Sequence, residues 1–178
     1  MKKVLFILGQ LSDSDVDWIA RTGQRVRHAK GAELIHFGVA TRQLHFILDG
    51  EVAILTNKGF ELARVGSGEI LGEMSLVDSR PPSASAVVRE DAYVLSLDKS
   101  TLGAKLESDT AFAARFYRAI AIFLSERMRS TVGRMGYGDP SPESEEVPAD
   151  EDELDANVLD HVHLAGARFE RLLHKLMG

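Results

Sequence analysis

Between residues 24 and 98 the apolar positions fall into short runs separated by turn residues, and after Asp98 they recur at helical spacing. The runs predict strands at 24–29, 33–37, 44–48, 51–56, 60–65, 86–90 and 92–97. Leu44, Phe46 and Leu48 alternate with His45 and Ile47, so both faces of that strand are expected to be partly buried. Asp49-Gly50 predicts a tight hairpin between two apolar strands, and Asn57-Lys58-Gly59 predicts a second turn. The pattern is mainly β with flanking α: a double-sheet jelly roll followed by long C-terminal helices.

Helical spacing frames the strands. Ser12 and Asp15 have the separation of a capping box. Val16, Ile19 and Ala20 then form an inward face, Gly23 suits a C′ position, and Trp18 is expected to pack the helix on the sheet. A short helix is predicted at about 99–106 and a long one from near Asp109 to about 133. The long one carries two apolar stripes: Phe112, Phe116, Ala119, Phe123 and Met128 form one, and Ala113, Tyr117, Ile120, Leu124 and Thr131 the other. So wide an apolar surface asks for two partners, the roll and the same helix of a second copy about a two-fold axis. On that expectation Phe116→Glu or Phe123→Glu would give monomers. A last helix is predicted at about 155–176, with Val158, Val162, Ala165, Phe169, Leu172 and Leu176 on one face and Arg168, Arg171 and Lys175 in its last turns.

Composition narrows the classes. The chain has 178 residues, a net charge of −6 and no cysteine, which excludes disulfides and thiolate metal sites. Residues 139–155 hold nine acids and no Lys or Arg, so the remaining 18 acids face 21 basic residues. That balance, about +3, and the lack of a dense Lys/Arg stripe argue against a dedicated nucleic-acid surface. With Gly136, Gly138, Pro140, Pro142 and Pro148, the stretch 136–153 reads as a linker. The expected organisation is 1–135 as one domain, 136–153 as an acidic linker and 154–178 as an amphipathic helix. The apolar run at Val4–Leu8 is five residues, short of the roughly 7–15 of a secretory signal, and reads as packed structure. No stretch approaches the roughly 20 apolar residues of a membrane span, and a cytoplasmic protein is expected.

The candidate chemistry lies at 66–86. Gly66, Gly68 and Gly72 mark sharp bends or close approaches, and Gly72-Glu73-Met74-Ser75-Leu76 reads as one short helical turn whose free N–H groups suit an anion. Arg80 and the stiff Pro81-Pro82 follow, then the small residues Ser83, Ala84 and Ser85. This stretch resembles the phosphate-binding cassette of cyclic-nucleotide-binding domains, the family of the catabolite activator protein, kinase regulatory subunits and gated channels. Gly31, Gly38 and Gly50 match family turn positions, which extends the resemblance over about 11–134. It implies a β-roll fold and a ligand of the cyclic AMP kind. It implies Glu73 as the ribose ligand and Ser83 and Ala84 as phosphate-side amides, with Gly72, Met74 and Arg80 beside them. It also implies that the long helix closes over the purine. One position departs from the family: Pro82 stands where the family has Arg, and proline offers neither charge nor N–H. Losing such a contact weakens binding by roughly ten- to a hundred-fold.

The histidines at 28, 36 and 45 lie on separate predicted strands and are not read as a metal site, and no GxSxG, HExxH or P-loop occurs. The expectation is a non-enzymatic, dimeric sensory module that signals through its C-terminal helices to a protein partner. The competing expectation is a ligand-free scaffold working through its last helix. A single final helix falls short of a helix-turn-helix, so no DNA partner is expected. The run R-P-P-S-A-S and the tail ending N-V-L-D-H-V-H-L-A-G-A-R-F-E-R also resemble a group of small bacterial, often cyanobacterial, proteins.

Overall fold

Two long strands carry the architecture of this computed structural model, which describes residues 4–78, 80–134 and 156–177. They are β3 (Gln43–Leu55) and β6 (Ser85–Asp98), paired antiparallel along most of their length. Strand β1 (Gln24–His28) lies on the outer side of β6, and β4 (Glu61–Gly66) on the outer side of β3. The short strands β2 (Glu33–Ile35) and β5 (Ile70–Leu71) add to β6 and β3, so the sheet has six strands in all, every pair antiparallel. This is the β-roll expected of the sequence.

Alternation along β3 and β6 divides the interior into two cores. Leu44, Phe46, Leu48, Leu95 and Leu97 face the helices, whereas Ile47, Val52, Val88 and Val94 face the inside of the roll with Ile35, Val65, Leu71, Ala86 and Ala92. Both faces of the strand at 44–48 are therefore buried, as the alternation predicts.

The expected hairpin at Asp49-Gly50 does not form. Strand β3 runs through it, and its register against β6 slips between Ile47 and Asp49 and again up to Val52. Gly50 has φ +94, and a Cβ there would sit 2.6 Å from the Asp91 carbonyl oxygen. The glycine thus serves a bulge where two strands press together, not a reversal. The predicted break at residue 91 is likewise absent, since β6 is continuous. The chain does turn at Asn57-Lys58-Gly59, where Gly59 donates to Thr56 and Thr56 to Phe60.

The helices gather on the Leu44–Phe46 face. Helix α1 (Val4–Gln10) buries Ile7 and Leu8. Helix α2 (Asp13–Thr22) starts at the expected capping box, with Ser12 and Asp15 exchanging hydrogen bonds. Its end differs from expectation: Gly23 has φ −73, extended rather than left-handed, because β1 begins at the next residue and Leu95 presses close. After the cassette helix α3 (Met74–Val77) come α4 (Lys99–Ser108) and α5 (Thr110–Arg134). Trp18 meets Phe112 of α5 edge to face at 5.5 Å, so α2 packs through it on a helix rather than on the sheet. Arg115 of α5 grips Asp15 through two bonds, 2.7 and 3.0 Å.

Phe112, Phe116, Ala119 and Phe123 are fully buried within the single chain. The expectation that Phe116→Glu or Phe123→Glu would merely separate two copies is therefore wrong: a charge at either place would enter this chain's own core. Met128, assigned to the same stripe, is 66% exposed, and Ile120, assigned to the other, is buried.

Helix α6 (Ala156–Met177) docks on α1 and α2. Ala165, Phe169 and Leu172 join the helix-side core. Arg168 reaches Asp13 at 2.7 Å and the carbonyls of Leu8 and Gly9, Arg171 reaches Asp13 and Asp17, and Lys175 reaches Asp17 at 2.6 Å. The predicted linker at 136–153 and the side chains of Val158 and Val162 lie outside the described residues. No helix among the described residues is long and apolar enough to cross a membrane.

Candidate functional site

Strand β5 ends where the chain must turn sharply. Gly72 has φ +86, and a Cβ there would lie 2.8 Å from the Gln43 carbonyl oxygen, so only glycine fits between β5 and β3. The bend turns Glu73 inward, where it is 2% exposed. Helix α3 follows, and Ser75 donates back to the Gly72 carbonyl at 3.1 Å. Lys99, the first residue of α4, donates to the Ser75 hydroxyl and to the Thr41 carbonyl, which ties α3 to the body.

The far wall is the exit strap. The Pro82 carbonyl accepts the Gly38 N–H at 2.9 Å, and the Ser85 hydroxyl accepts the Phe37 N–H at 3.0 Å. Between strap and cassette lies a cavity of about 310 Å³, at the lower end of the range for small-molecule sites. Ile35, Ile54, Leu71 and Ala86 give it apolar walls, and the cassette gives it polar ones.

All six residues singled out from the sequence line this one cavity: Gly72, Glu73, Met74, Arg80, Ser83 and Ala84. Glu73 makes no capping bond to α3 through its side chain. Its carboxylate instead meets the Arg127 guanidinium of α5 at 2.5 Å. Arg80 lines the cavity, but its side chain is 87% exposed and pairs with Asp78 at 3.5 Å.

Arg127 is the residue that sequence reading missed. It bonds Glu73 and the Ile70 carbonyl, and its guanidinium lies over the Phe123 ring at 4.6 Å. Its signal was periodic. Phe112, Phe116, Ala119 and Phe123 form a buried stripe whose next inward position is 127, and an arginine on such a stripe needs a buried partner. Burial pushes the Glu73 carboxyl above its ordinary pKa, while Arg127, nearby backbone N–H groups and Lys99 pull it back. Burial also lowers the pKa of Lys99.

The three histidines stay apart from this chemistry. His36 pairs with Glu33 at 2.9 Å, and His45 is buried against the Ser96 hydroxyl at 2.9 Å. No group of three His, Cys, Asp or Glu among the described residues is placed to hold a metal.

Known proteins resemble this chain in sequence and in fold. Residues 25–109 match the family model of the cyclic nucleotide-binding domain. The cyclic AMP receptor protein of Thermus thermophilus is 35% identical over 91 residues, which are 49% of this chain and 42% of that protein. The match thus spans less than half the length of that relative. A cyclic nucleotide-binding domain from Methylobacillus flagellatus superposes with a TM-score of 0.68 at 25% identity, covering 79% of this chain and 85% of that one. The N-terminal domain of a transcriptional regulator from Streptomyces coelicolor gives 0.57 at 28% identity, covering 79% and 100%. Residues 25–109 are thus similar in sequence to the cyclic nucleotide-binding domain family, and the chain shares the fold of such domains.

Proposed function

We propose that the chain is a regulatory module that takes a cyclic nucleotide of the cyclic AMP kind into the cavity between cassette and strap, and that α5 carries the response. The observation that bears this reading is the meeting of Glu73 with Arg127 in the cavity wall. Glu73 belongs to the cassette and Arg127 to the long helix, so a ribose hydroxyl arriving at Glu73 changes the partner of α5 at the same moment. A ligand shifts a conformational equilibrium only by binding one arrangement better, and this shared ion pair supplies that difference. The output is a contact with a protein partner through the C-terminal helices, and no catalytic step is assigned to the site.

A second copy completes the reading. Tyr117, Ala121, Leu124, Met128 and Thr131 follow one another at spacings of four, three, four and three along α5. Tyr117 is 47% and Met128 66% exposed, so these two positions of a coiled-coil-like seam are open in the single chain, while Leu124 between them packs partly on the chain's own core.

The competing scaffold reading draws on Pro82, which lines the cavity without charge or N–H and has its carbonyl already engaged by Gly38. Thermal melts with cyclic AMP and cyclic GMP separate the two. On the sensor reading ligand raises the melting temperature of the native chain by mass action, and Glu73→Gln loses that rise. Because the substitution also leaves Arg127 without its charged partner, the ligand-free melt falls as well, and the ligand-induced increment is the diagnostic quantity. A flat response of the native chain at millimolar nucleotide leaves the scaffold.

A further inference from the structure

Two cations line the cavity among the described residues, Arg80 and Arg127. Arg127 is committed to Glu73, to the Ile70 carbonyl and to the Phe123 ring. Arg80 is not committed in this way. Its guanidinium meets Asp78 at 3.5 Å, beyond a good hydrogen bond, and both side chains are exposed, 87% and 51%. Its backbone is nevertheless well placed, since the Arg80 N–H donates to the Asp78 carboxylate at 2.8 Å. Pro81 and Pro82, next in the chain, have their φ angles fixed by their rings.

We infer that Arg80 is the phosphate-recognition residue of this cavity, and that Asp78 competes with the ligand for it. The inference rests on the cyclic-nucleotide reading of the site. Position 82 has nothing to offer an anion, and Arg127 serves the acidic end of the cavity. An incoming phosphate oxygen takes the Arg80 guanidinium from Asp78 and forms the charged bidentate contact that arginine geometry favours. The Asp78 carboxylate stays in the wall beside the phosphate. It therefore disfavours a second negative charge, and the site selects a cyclic phosphodiester, with one charge, over an open nucleoside monophosphate, with nearly two.

Calorimetric titration of the full chain with cyclic AMP and with 5′-AMP tests this. Arg80→Gln is expected to weaken cyclic AMP at least tenfold, and Arg80→Lys, which keeps the charge but not the bidentate fork, to weaken it by less. Asp78→Asn is expected to tighten cyclic AMP severalfold and 5′-AMP more, with most of the gain for cyclic AMP lost when Arg80 is absent. The Arg80→Gln/Asp78→Asn double variant then gains less cyclic AMP affinity over Arg80→Gln than Asp78→Asn gains over the native chain, the non-additivity that marks a direct coupling. If Arg80→Gln binds cyclic AMP as the native chain does, or if the Asp78→Asn gain is undiminished without Arg80, the assignment is overturned while the cavity remains a nucleotide site. If the native chain takes up no cyclic AMP at millimolar concentration, the reading of the cavity falls and this inference with it. The ligand-free melting temperature of each variant stays near that of the native chain, because both side chains are exposed.

Discussion

His45 shows how one side chain links the roll to acidity. It is 4% exposed, bonded to Ser96, and burial with His28 and Lys99 nearby lowers its pKa to about 4. An unfolded histidine titrates near 6.5. Between those values the unfolded chain binds the proton and the folded chain does not, so stability is complete above about pH 6.5 and is lost as pH falls toward 4. The shift corresponds to roughly 3 kcal/mol at full effect. His28, also lowered by burial, acts in the same direction, and Glu73, raised by burial, in the opposite one. Urea unfolding at pH 7 and pH 5 is expected to show a marked loss for the native chain and a smaller loss for His45→Gln. At this same scale the site was largely legible. Gly72 answers a local backbone need, and such needs are written in adjacent letters, whereas Glu73, Ser83 and Ala84 were legible through the likeness of the stretch to a known cassette. The Glu73–Arg127 pair is not, because 54 residues separate its members. Only the helical period of the phenylalanine stripe points to it.

At the scale of elements, local and tertiary signals compete. Asp49-Gly50 has hairpin chemistry, yet β3 passes straight through it because Val52 and Ala53 continue the pairing with β6 beyond the bulge. The helix boundaries were readable to within a few residues because capping groups fix them: Ser12 before α2, Asp98 before α4 and Asp109 before α5. The partner of each helix face was not, since periodicity shows that a face is apolar without showing what covers it. That is why Phe116 and Phe123 were assigned to a contact between copies when they fill the core of one. The exposed seam now gives the sharper test. Light scattering is expected to find the native chain dimeric at micromolar concentration, and Tyr117→Glu or Met128→Glu monomeric with little change in the melting of the fold. A native monomer removes the seam as an interface.

For the molecule as a whole, α6 is part of what holds the helical layer together. Phe169 and Leu172 each bury an apolar side chain worth about 1.5–3 kcal/mol. Removing residues 136–178 uncovers their partners on α1 and α2, so calorimetry is expected to show a melting temperature lower by on the order of 10 °C. An unchanged melt would mean that the roll stands without this helix. The ion pairs of Arg171 and Lys175 with Asp13 and Asp17 are partly exposed and serve to set where α6 lies more than how tightly it is held.

Helix α5 is fastened twice on its way across the molecule. Arg115 holds it to Asp15 near its start, and Arg127 holds it to Glu73 twelve residues further on. At 1.5 Å per residue the two fastenings are ~18 Å apart along the axis. A rod pinned at one end and released at the other does not slide; it swings. The Asp15 clasp is therefore a fulcrum and the Glu73 clasp a catch. On the proposed reading, undoing the catch is expected to send the largest displacement to the end of α5 farthest from the fulcrum, beyond Arg127, and to leave Phe112 and Phe116 beside the pivot nearly in place.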